Sequence, residues 1–329
     1  MVRVAVNGFG RIGRAVVREA FRRKDVEIVA VNDLMNPQMA AYLLKFDSAH
    51  LEFDKDVKSD DKSIFIDDKK IFYSSEAEVE KIPFKDIDVV IESTGKFLSK
   101  ELASSHLKGA KKVIISAPAV DDTPTYVYGI NHKLYRGEKI ISNASCTTNC
   151  LAPIAYLLDT HFGIKKALMT TIHSYTIDQN LLDSDHKRDI RRSRAAAVNI
   201  IPTTTGAAKA IYKVLPNLKN KFDGRSVRVP VEDVSMMDLS VLVEKDVSVQ
   251  EVNRLFKDAS LGDFANILGI DERFRVSRDF LGSPLSSIVA VDLTQVVDKN
   301  LVKVMSWYDN EYGYANRLLD MAKFISKGE

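Results

Sequence analysis

The segment Val4-Ala5-Val6-Asn7-Gly8-Phe9-Gly10-Arg11-Ile12-Gly13 decides the fold. An apolar run at Arg3–Val6 leads directly into G-x-G-x-x-G, and the amphipathic stretch Ile12–Arg23 follows. In such a strand, turn and helix unit Gly8 permits the tight turn, Gly10 lets backbone approach a pyrophosphate, and Gly13 lets the helix pack on the strand. The helix start adds free N–H groups and the positive end of its dipole, both of which favour phosphate. Twenty residues past Gly13 stands Asp33, at the end of a second β-branched run. A carboxylate there accepts hydrogen bonds from a ribose 2′-hydroxyl and repels a 2′-phosphate. Glycine turns of this spacing occur by chance and strand-end Asp residues are often merely solvated. Strand, glycines, helix and acid in register instead favour a dinucleotide site, with NAD preferred over NADP.

Outward from that unit the rhythm continues over the first 145 residues. Short apolar runs at Glu27–Val31, Ser63–Ile66, Asp88–Glu92, Lys112–Ser116 and Lys139–Ser142 alternate with helical patterns such as Lys100–Lys108. This alternation predicts a mostly parallel, doubly wound α/β sheet of the Rossmann type. After Asn149 the pattern changes. A helix over Cys150–Thr160 precedes strand-like segments at Lys166–His173, Ser226–Pro230, Met237–Val243, Ser287–Asp292 and Leu301–Tyr308. Helical patterns fall at Thr205–Val214, Ser248–Ser260 and Tyr312–Ile325. Long strands with few helices predict an α+β second domain, and strands that read as apolar on both sides predict a sheet covered on both faces.

A length of 329 residues suits two domains. The chain carries 45% hydrophobic and 28% charged residues, ordinary globular values that exclude a disordered or collagen-like chain. Forty-seven basic residues against 45 acidic give a net charge of +2, so general electrostatic binding to nucleic acid or membrane is not indicated. No apolar run approaches the roughly 20 residues that span a bilayer. The N-terminus enters a strand at once, without a basic or apolar leader pattern, and two cysteines four residues apart make no disulfide framework. These features predict a cytoplasmic protein in a reducing compartment.

Ser145-Cys146-Thr147-Thr148-Asn149-Cys150 lies where a strand ends and a helix begins, the place where a dipole most lowers a thiol pKa. A thiolate attacks carbonyls. Cys150 suits an apolar helix interior, whereas the polar neighbours of Cys146 suit a reactive thiol. Two cysteines alone cannot fill a tetrahedral zinc shell, so no metal site is predicted. Of six histidines, His173 has the best context for a base, since it ends a strand and precedes Ser174-Tyr175-Thr176. The loop His186–Arg194 holds five Lys or Arg in nine residues. Such a run is commonly a solvated face, but beside a site it suits an anionic substrate. Thr203-Thr204-Thr205-Gly206 opens another helical pattern, and Arg228 ends a strand. Hydroxyls, helix N–H groups and a guanidinium are the usual parts of a phosphate pocket.

Taken together, NGFGRIGR, YLLKFDS, ESTG, SNASCTTNC, TIHSYT, RRSRAAAVNIIPTTTGAAKA, Arg228-Val229-Pro230 and WYDNEYGYANR, in constant order from end to end, resemble the phosphorylating glyceraldehyde-3-phosphate dehydrogenase family. Its close relative erythrose-4-phosphate dehydrogenase shares ASCTTNC and WYDNEYGYANR. The resemblance implies a cysteine nucleophile at Cys146, with His173 as the base that pairs with the thiolate. It implies aldehyde oxidation through a thiohemiacetal and a thioester, and release of 1,3-bisphosphoglycerate by inorganic phosphate. Thr176 and Arg228 correspond to residues that hold the substrate phosphate; Ser145, Thr147, Arg192, Thr205 and Gly206 correspond to those for the attacking phosphate. Cofactor contacts fall to Gly8, Gly10, Arg11, Ile12, Gly13, Asp33, Thr94, Gly95, Ser116, Asn310 and Tyr314, with Asn310 on the nicotinamide carboxamide. A homotetramer is implied, as is a split first domain: residues 1–145 joined by the helix 312–329, around a catalytic domain at 146–311.

Four positions depart from the family pattern. Glu76-Ala77-Glu78-Val79 lacks the arginine near the adenine, and Ile177 replaces a small or polar residue. Ser184-Asp185 replaces a Leu-Pro pair near the cofactor ribose, and an extra residue near Arg188 lengthens the same loop. Loss of Leu-Pro removes bulk against a 2′-phosphate, so dual NAD and NADP use stays open, while Asp33 opposes it. Besides erythrose-4-phosphate dehydrogenase, the basic loop and reactive thiol leave a redox-sensing or nucleic-acid-binding protein on the same fold as an alternative.

Overall fold

A computed structural model describes residues 1–187 and 189–327. The chain divides into two compact units: Met1–Ser145 with the segment from Tyr314 onward, and Cys146–Gly313. Arg188, in the lengthened basic loop, lies outside the described residues.

In the first unit the strands are β1 (Val2–Asn7), β2 (Val26–Asn32), β3 (Val57–Asp60), β4 (Ser63–Ile66), β5 (Lys69–Ser74), β6 (Ile87–Glu92), β7 (Ala110–Ile115) and β8 (Ile140–Ser142). They form one sheet in the order β3-β4-β5-β2-β1-β6-β7-β8. From β5 to β8 every pairing is parallel. This is the doubly wound order, and it reverses direction between β1 and β6, the crevice where such sheets bind ligands. The central strands are buried on both faces, as their unbroken apolar runs demand. Helix α1 (Arg11–Ala20) follows β1; α2 (Pro37–Lys45) is capped by the Asn36 side chain, which accepts from Met39 N at 2.7 Å; α3 (Lys100–Ala103) continues as a 3₁₀ turn. Strands β3 and β5, which flank the one antiparallel strand β4, escape the sequence reading because their charged residues hide the period of two; β5, for example, begins Lys69-Lys70 with both side chains exposed. The terminal helix Tyr312–Ser326 meets α1 through Asn316, which donates to Glu19 at 2.8 Å, and the segment just after α1 through Asp320, which pairs with Arg23 at 2.7 Å.

In the second unit α4 (Cys146–Phe162) leads into β9 (Ile164–Ser174). There follow β10 (Ile201–Thr204), α5 (Ala207–Ala210), β11 (Phe222–Val229), β12 (Ser235–Val243), α6 (Val249–Leu261), β13 (Leu268–Asp271), β14 (Ser287–Ala290), β15 (Gln295–Val297) and β16 (Leu301–Tyr308). The sheet is mixed, in the order β10-β11-β9-β12-β16-β14-β13, with β15 on β16. Ser248 and Glu251 form a reciprocal capping box at the start of α6.

Three expectations need correction. Helix α4 begins at Cys146 rather than Cys150. The helix expected over Thr205–Val214 shrinks to α5 and a 3₁₀ turn at Ile211–Lys213: the β-branched pair Thr203-Thr204 goes into β10, opposite Ser226 and Arg225, and Pro216 stops the chain on the other side. The sheet is also not apolar on both faces. Alternate residues of β9, β12 and β16 are buried beneath α4, while their neighbours on the other face are half-exposed and mix Leu168, Ile172 and Met305 with Asp238 and Lys303.

Candidate active site

In the second unit Cys146 opens α4, so its thiol stands at the positive end of a 17-residue helix. Its Sγ lies 3.7 Å from His173 Nε2 and 4.0 Å from Thr147 Oγ1. His173 is carried there by the C-terminal end of β9. Its Nδ1 lies 2.8 Å from the Ser174 carbonyl and 3.0 Å from Arg228 Nη1, which can only donate; with Nδ1–H directed to the carbonyl, the Nε2 lone pair faces the sulfur. The imidazole also packs edge-on against Tyr308, whose hydroxyl joins Thr147 and Thr171 at 2.9 and 2.7 Å.

Burial pushes the Cys146 thiol up, against the opposing pull of the Thr147 hydroxyl and the Arg228 cation. Burial, then Arg228, pushes His173 down to about 3. Each isolated charge is therefore disfavoured by burial at this position, which runs against a resting thiolate and imidazolium. Passage of one proton from sulfur to Nε2 leaves the net charge of the pair unchanged, so the two groups titrate together.

Arg228, at the end of β11, donates from Nη1 to the Ser174 carbonyl at 2.9 Å and to Thr176 Oγ1 at 3.2 Å. Its buried Nε has no hydrogen-bond partner among the described residues. A buried guanidinium N–H without an acceptor is costly unless an anion arrives. Arg192 is held from behind: Nε donates to Thr203 Oγ1 at 2.9 Å, and Nη1 pairs with Asp178. Asp178 also accepts from the Thr176 hydroxyl, and these partners, with Arg228, keep its carboxyl below the usual range despite burial. Thr205 accepts from Ala207 N at 3.2 Å, and Gly206 begins α5 with open space where a Cβ would stand. Arg194 of the basic loop is taken up by Asp183 at 2.7 Å, so the loop presents fewer cations to the pocket than its sequence suggests. Asn310 is oriented by Ser174 and Ser235, whose hydroxyls donate to its Oδ1 at 3.0 and 2.6 Å.

The first unit has the geometry of a dinucleotide cradle. Gly8 has φ +94°, and a Cβ on it would meet Thr94 N at 2.6 Å; one on Gly13 would meet the Gly8 carbonyl at 2.1 Å. Gly10 caps α1 with no side-chain hydrogen bond and has open space at its Cβ position, so a phosphate can approach the N–H groups of the helix's first turn, Ile12 and Gly13 among them. Asp33 is fixed by accepting from Phe9 N at 2.6 Å and Met35 N at 3.0 Å. Arg11 pairs with Asp47 of YLLKFDS at 2.5 Å. Thr94 donates from N and Oγ1 to Glu92 Oε1, and Gly95 turns at φ +71°. Ser116 N donates to the Glu92 carbonyl, and the Tyr314 hydroxyl to that of Ala144, each at 2.9 Å.

Comparison with known proteins fits this layout. Residues 2–100 match the family model "Glyceraldehyde 3-phosphate dehydrogenase, NAD binding domain", and residues 145–310 match "Glyceraldehyde 3-phosphate dehydrogenase, C-terminal domain". The chain belongs to the glyceraldehyde-3-phosphate dehydrogenase family. It is 50% identical to glyceraldehyde-3-phosphate dehydrogenase 1 of Bacillus cereus over 334 residues, covering 100% of each chain. It is 50% identical to glyceraldehyde-3-phosphate dehydrogenase of Geobacillus stearothermophilus and 51% identical to glyceraldehyde-3-phosphate dehydrogenase 2 of Nostoc sp., covering 99% of each chain in both cases.

As a member of the glyceraldehyde-3-phosphate dehydrogenase family the chain carries a Rossmann NAD-binding domain and an α+β C-terminal domain. Contacts bring Cys146, Thr147, His173, Thr176, Arg192 and Arg228 into one constellation; Thr205 and Gly206 follow directly on Thr204, whose carbonyl lies 3.5 Å from Arg192 Nη2. Sequence reasoning passed over Asp178, Tyr308 and Glu92. Asp178 had a local signal, an acid two residues after Thr176 in a basic neighbourhood. Tyr308 and Glu92 fall within WYDNEYGYANR and ESTG, but nothing local singles them out, because strands distant in sequence bring their partners. Of the departures, Ile177 is 83% exposed, Ala77 is exposed, and Ser184 and Asp185 are pinned through their carbonyls to Asn180.

Proposed function

We propose that the chain oxidises glyceraldehyde 3-phosphate with NAD and inorganic phosphate to 1,3-bisphosphoglycerate, through a covalent thioester on Cys146. The observation that carries the reading is the thiol at a helix start, facing the acceptor nitrogen of His173 at 3.7 Å beside two arginines. Cys146 Sγ attacks the aldehyde carbon while its proton passes to His173 Nε2 and on to the carbonyl oxygen, giving a neutral thiohemiacetal. Bound NAD supplies the hydride acceptor. His173 takes the hydroxyl proton as the carbon is oxidised to the thioester. Phosphate oxygen then attacks the acyl carbon, the Cys146 thiolate leaves, and the acyl phosphate is released. Thr176 and Arg228 hold the substrate phosphate, which meets the open Nε of Arg228. Ser145, Thr147, Arg192, Thr205 and Gly206 hold the attacking phosphate. NAD rests on Gly8, Gly10, Arg11, Ile12, Gly13, Asp33, Thr94, Gly95, Ser116 and Tyr314, while Asn310, its amide oxygen occupied by two serines, offers its NH₂ to the carboxamide.

Initial rates of phosphate-dependent NADH formation test the assignment. The expected result is a higher kcat/KM for glyceraldehyde 3-phosphate than for erythrose 4-phosphate, and the reverse order overturns it. For the cofactor, Asp33→Ser is expected to raise kcat/KM for NADP about tenfold, by removing repulsion of the 2′-phosphate, and to lower it for NAD. Initial rates with each cofactor check both directions; an unchanged ratio removes Asp33 from the selection.

We place the protein in the cytoplasm as a homotetramer. Both cysteines are free, and among the described residues no helix is long and apolar enough to cross a membrane. The half-exposed face of the second sheet supports self-association: Leu168 is 67% exposed, and on the same face Ile172 lies in register between Val227 and Met236. Leu168→Asp is expected to shift the light-scattering mass from four chains toward fewer. An unchanged tetramer would place the interface elsewhere.

A further inference from the structure

From β5 to β6 the carboxyl edge of the first sheet ends in a row of polar residues, the last in register in each pairing. Asn7 of β1 stands opposite Asn32 of β2 and Glu92 of β6, and Asn32 stands opposite Ser74 of β5. Asn7, Asn32 and Glu92 are at most 3% exposed, so their polar atoms need partners within the protein. They find them in one another. Asn7 Nδ2 donates to Glu92 Oε2 at 2.6 Å, and Asn32 Nδ2 donates to Asn7 Oδ1 at 2.8 Å. Asn32 Oδ1 then accepts from Ser74 Oγ at 2.8 Å and from Glu76 N at 2.9 Å.

Every hydrogen bond along the row points toward Glu92. Its Oε2 also meets His106 Nε2 at 2.9 Å, while Oε1 accepts from Thr94 N at 2.8 Å and from the Thr94 hydroxyl. The His106 ring lies 6.3 Å, centre to centre, from both Phe84 and Phe97, and its buried Nδ1 has no partner among the described residues. A proton on Nε2, donated to Glu92, therefore leaves no N–H of the imidazole unpaired. With four donors on the Glu92 carboxylate, neither amide can turn over alone. A reversed Asn7 would set oxygen against Glu92 and its NH₂ against that of Asn32, and a reversed Asn32 would set its NH₂ against the Glu76 N–H. The carboxylate at one end and a backbone N–H at the other fix the order of donors and acceptors between them.

The row crosses the switch point between β1 and β6. In a doubly wound sheet one mononucleotide half of the ligand lies to each side of that point, the adenosine over β2 and β5, where Asp33 follows β2, and the second half over β6 and the strands beyond. One end of the row holds Glu76 N in the turn after β5, and the other holds Thr94 in the turn after β6. Fixing the spacing of both walls in advance spares the longer ligand the cost of ordering them. We propose that Asn7, Asn32 and Glu92 are positioning residues that tie the two halves of the cradle together, so that the protein selects a whole dinucleotide over its adenosine half. The inference rests on the assignment of NAD to this cradle.

The test is calorimetric titration of the nucleotide-free full chain with NAD and, separately, with AMP. Asn7→Ser breaks the row in the middle and leaves each wall its own support: Asn32 keeps Ser74 and Glu76, and Glu92 keeps Thr94 and His106. NAD is expected to bind about tenfold more weakly, the scale of one charge-assisted hydrogen bond, with AMP within about threefold of wild type. Glu92→Gln keeps the shape but sets an NH₂ against donors whichever way it turns, and should show the same split. Adding Asn7→Asp to Glu92→Gln moves the carboxylate one place along the row. The new NH₂ then has an acceptor, Asn32 Nδ2 keeps one, and His106 Nε2, 3.4 Å from Asn7 Nδ2, can turn its proton to the same place. The pair is expected to recover NAD affinity to within about threefold of wild type, which loss of packing could not do. If Glu92→Gln alone does not fold, a folded, NAD-binding pair still supports the row and an unfolded pair overturns it. The proposal also falls if Asn7→Ser leaves NAD binding unchanged or weakens AMP equally, or if the pair binds NAD no better than Glu92→Gln. Wild-type protein that binds AMP but no NAD overturns the cofactor assignment and the inference with it, whereas NAD binding indifferent to Asn7→Ser overturns the inference alone.

Discussion

Cys146→Ser is expected to lower kcat for phosphate-dependent NADH formation on the order of 10⁴-fold, the scale on which loss of a nucleophile reads out. A hydroxyl ionises far less readily than a thiol, so His173 would have to draw a proton from a much weaker acid. The second half of the reaction suffers as well, because an ester gives up its alkoxide to phosphate less readily than a thioester gives up its thiolate. Folding should be spared, since the side-chain contacts of Cys146 are Thr147 and His173, both within reach of a hydroxyl. Cys150→Ser supplies the contrast. That thiol is fully buried, lies 3.4 Å from Ser287 Oγ and 3.2 Å from Ser306 Oγ, and is pushed up to about 12 by burial. The replacement is expected to stay within about threefold of wild-type kcat, any cost appearing in thermal stability. A Cys146→Ser enzyme that retains kcat within tenfold of wild type would falsify the thioester route.

The difference between the two cysteines was legible in sequence, because helix start and helix interior are local properties. So were the glycine turn and Asp33, where each residue answers to a backbone constraint within one βα unit. Asp178 and Glu92 show what was not. Asp178 could have been read as a solvated acid; its role in bracing Arg192 and Thr176 needs the loop and β10 brought together. Glu92 accepts from Thr94 on one oxygen and on the other meets Asn7 at 2.6 Å and His106 at 2.9 Å, all three side chains buried. That network braces the turn after β6 from a strand 85 residues away in sequence. The second sheet misled in the opposite direction: Leu168, Ile172 and Met305 make its outer face look apolar in one dimension, and only the register with Asp238 and Lys303 shows a mixed surface.

His173→Asn is expected to reduce kcat by about 10²- to 10⁴-fold, the range for a positioned general base. Asparagine can keep the hydrogen bond to the Ser174 carbonyl through its amide NH₂, but it has no nitrogen that accepts a proton from sulfur. The loss should therefore fall on kcat more than on the KM for glyceraldehyde 3-phosphate, whose phosphate is assigned to Thr176 and Arg228. Alkylation of Cys146 by iodoacetamide isolates the first proton transfer from the rest of the cycle. Burial raises the thiol, so without a base the reactive thiolate forms only as pH climbs through and beyond the ordinary thiol range. Wild-type protein, in which Nε2 takes the proton at 3.7 Å, should label at least about tenfold faster than His173→Asn near neutral pH. The two rates should converge at high pH, where hydroxide does the work of the imidazole. Equal rates at neutral pH would mean that the helix start, Thr147 and Arg228 activate the thiol unaided, and would confine His173 to the later hydroxyl proton.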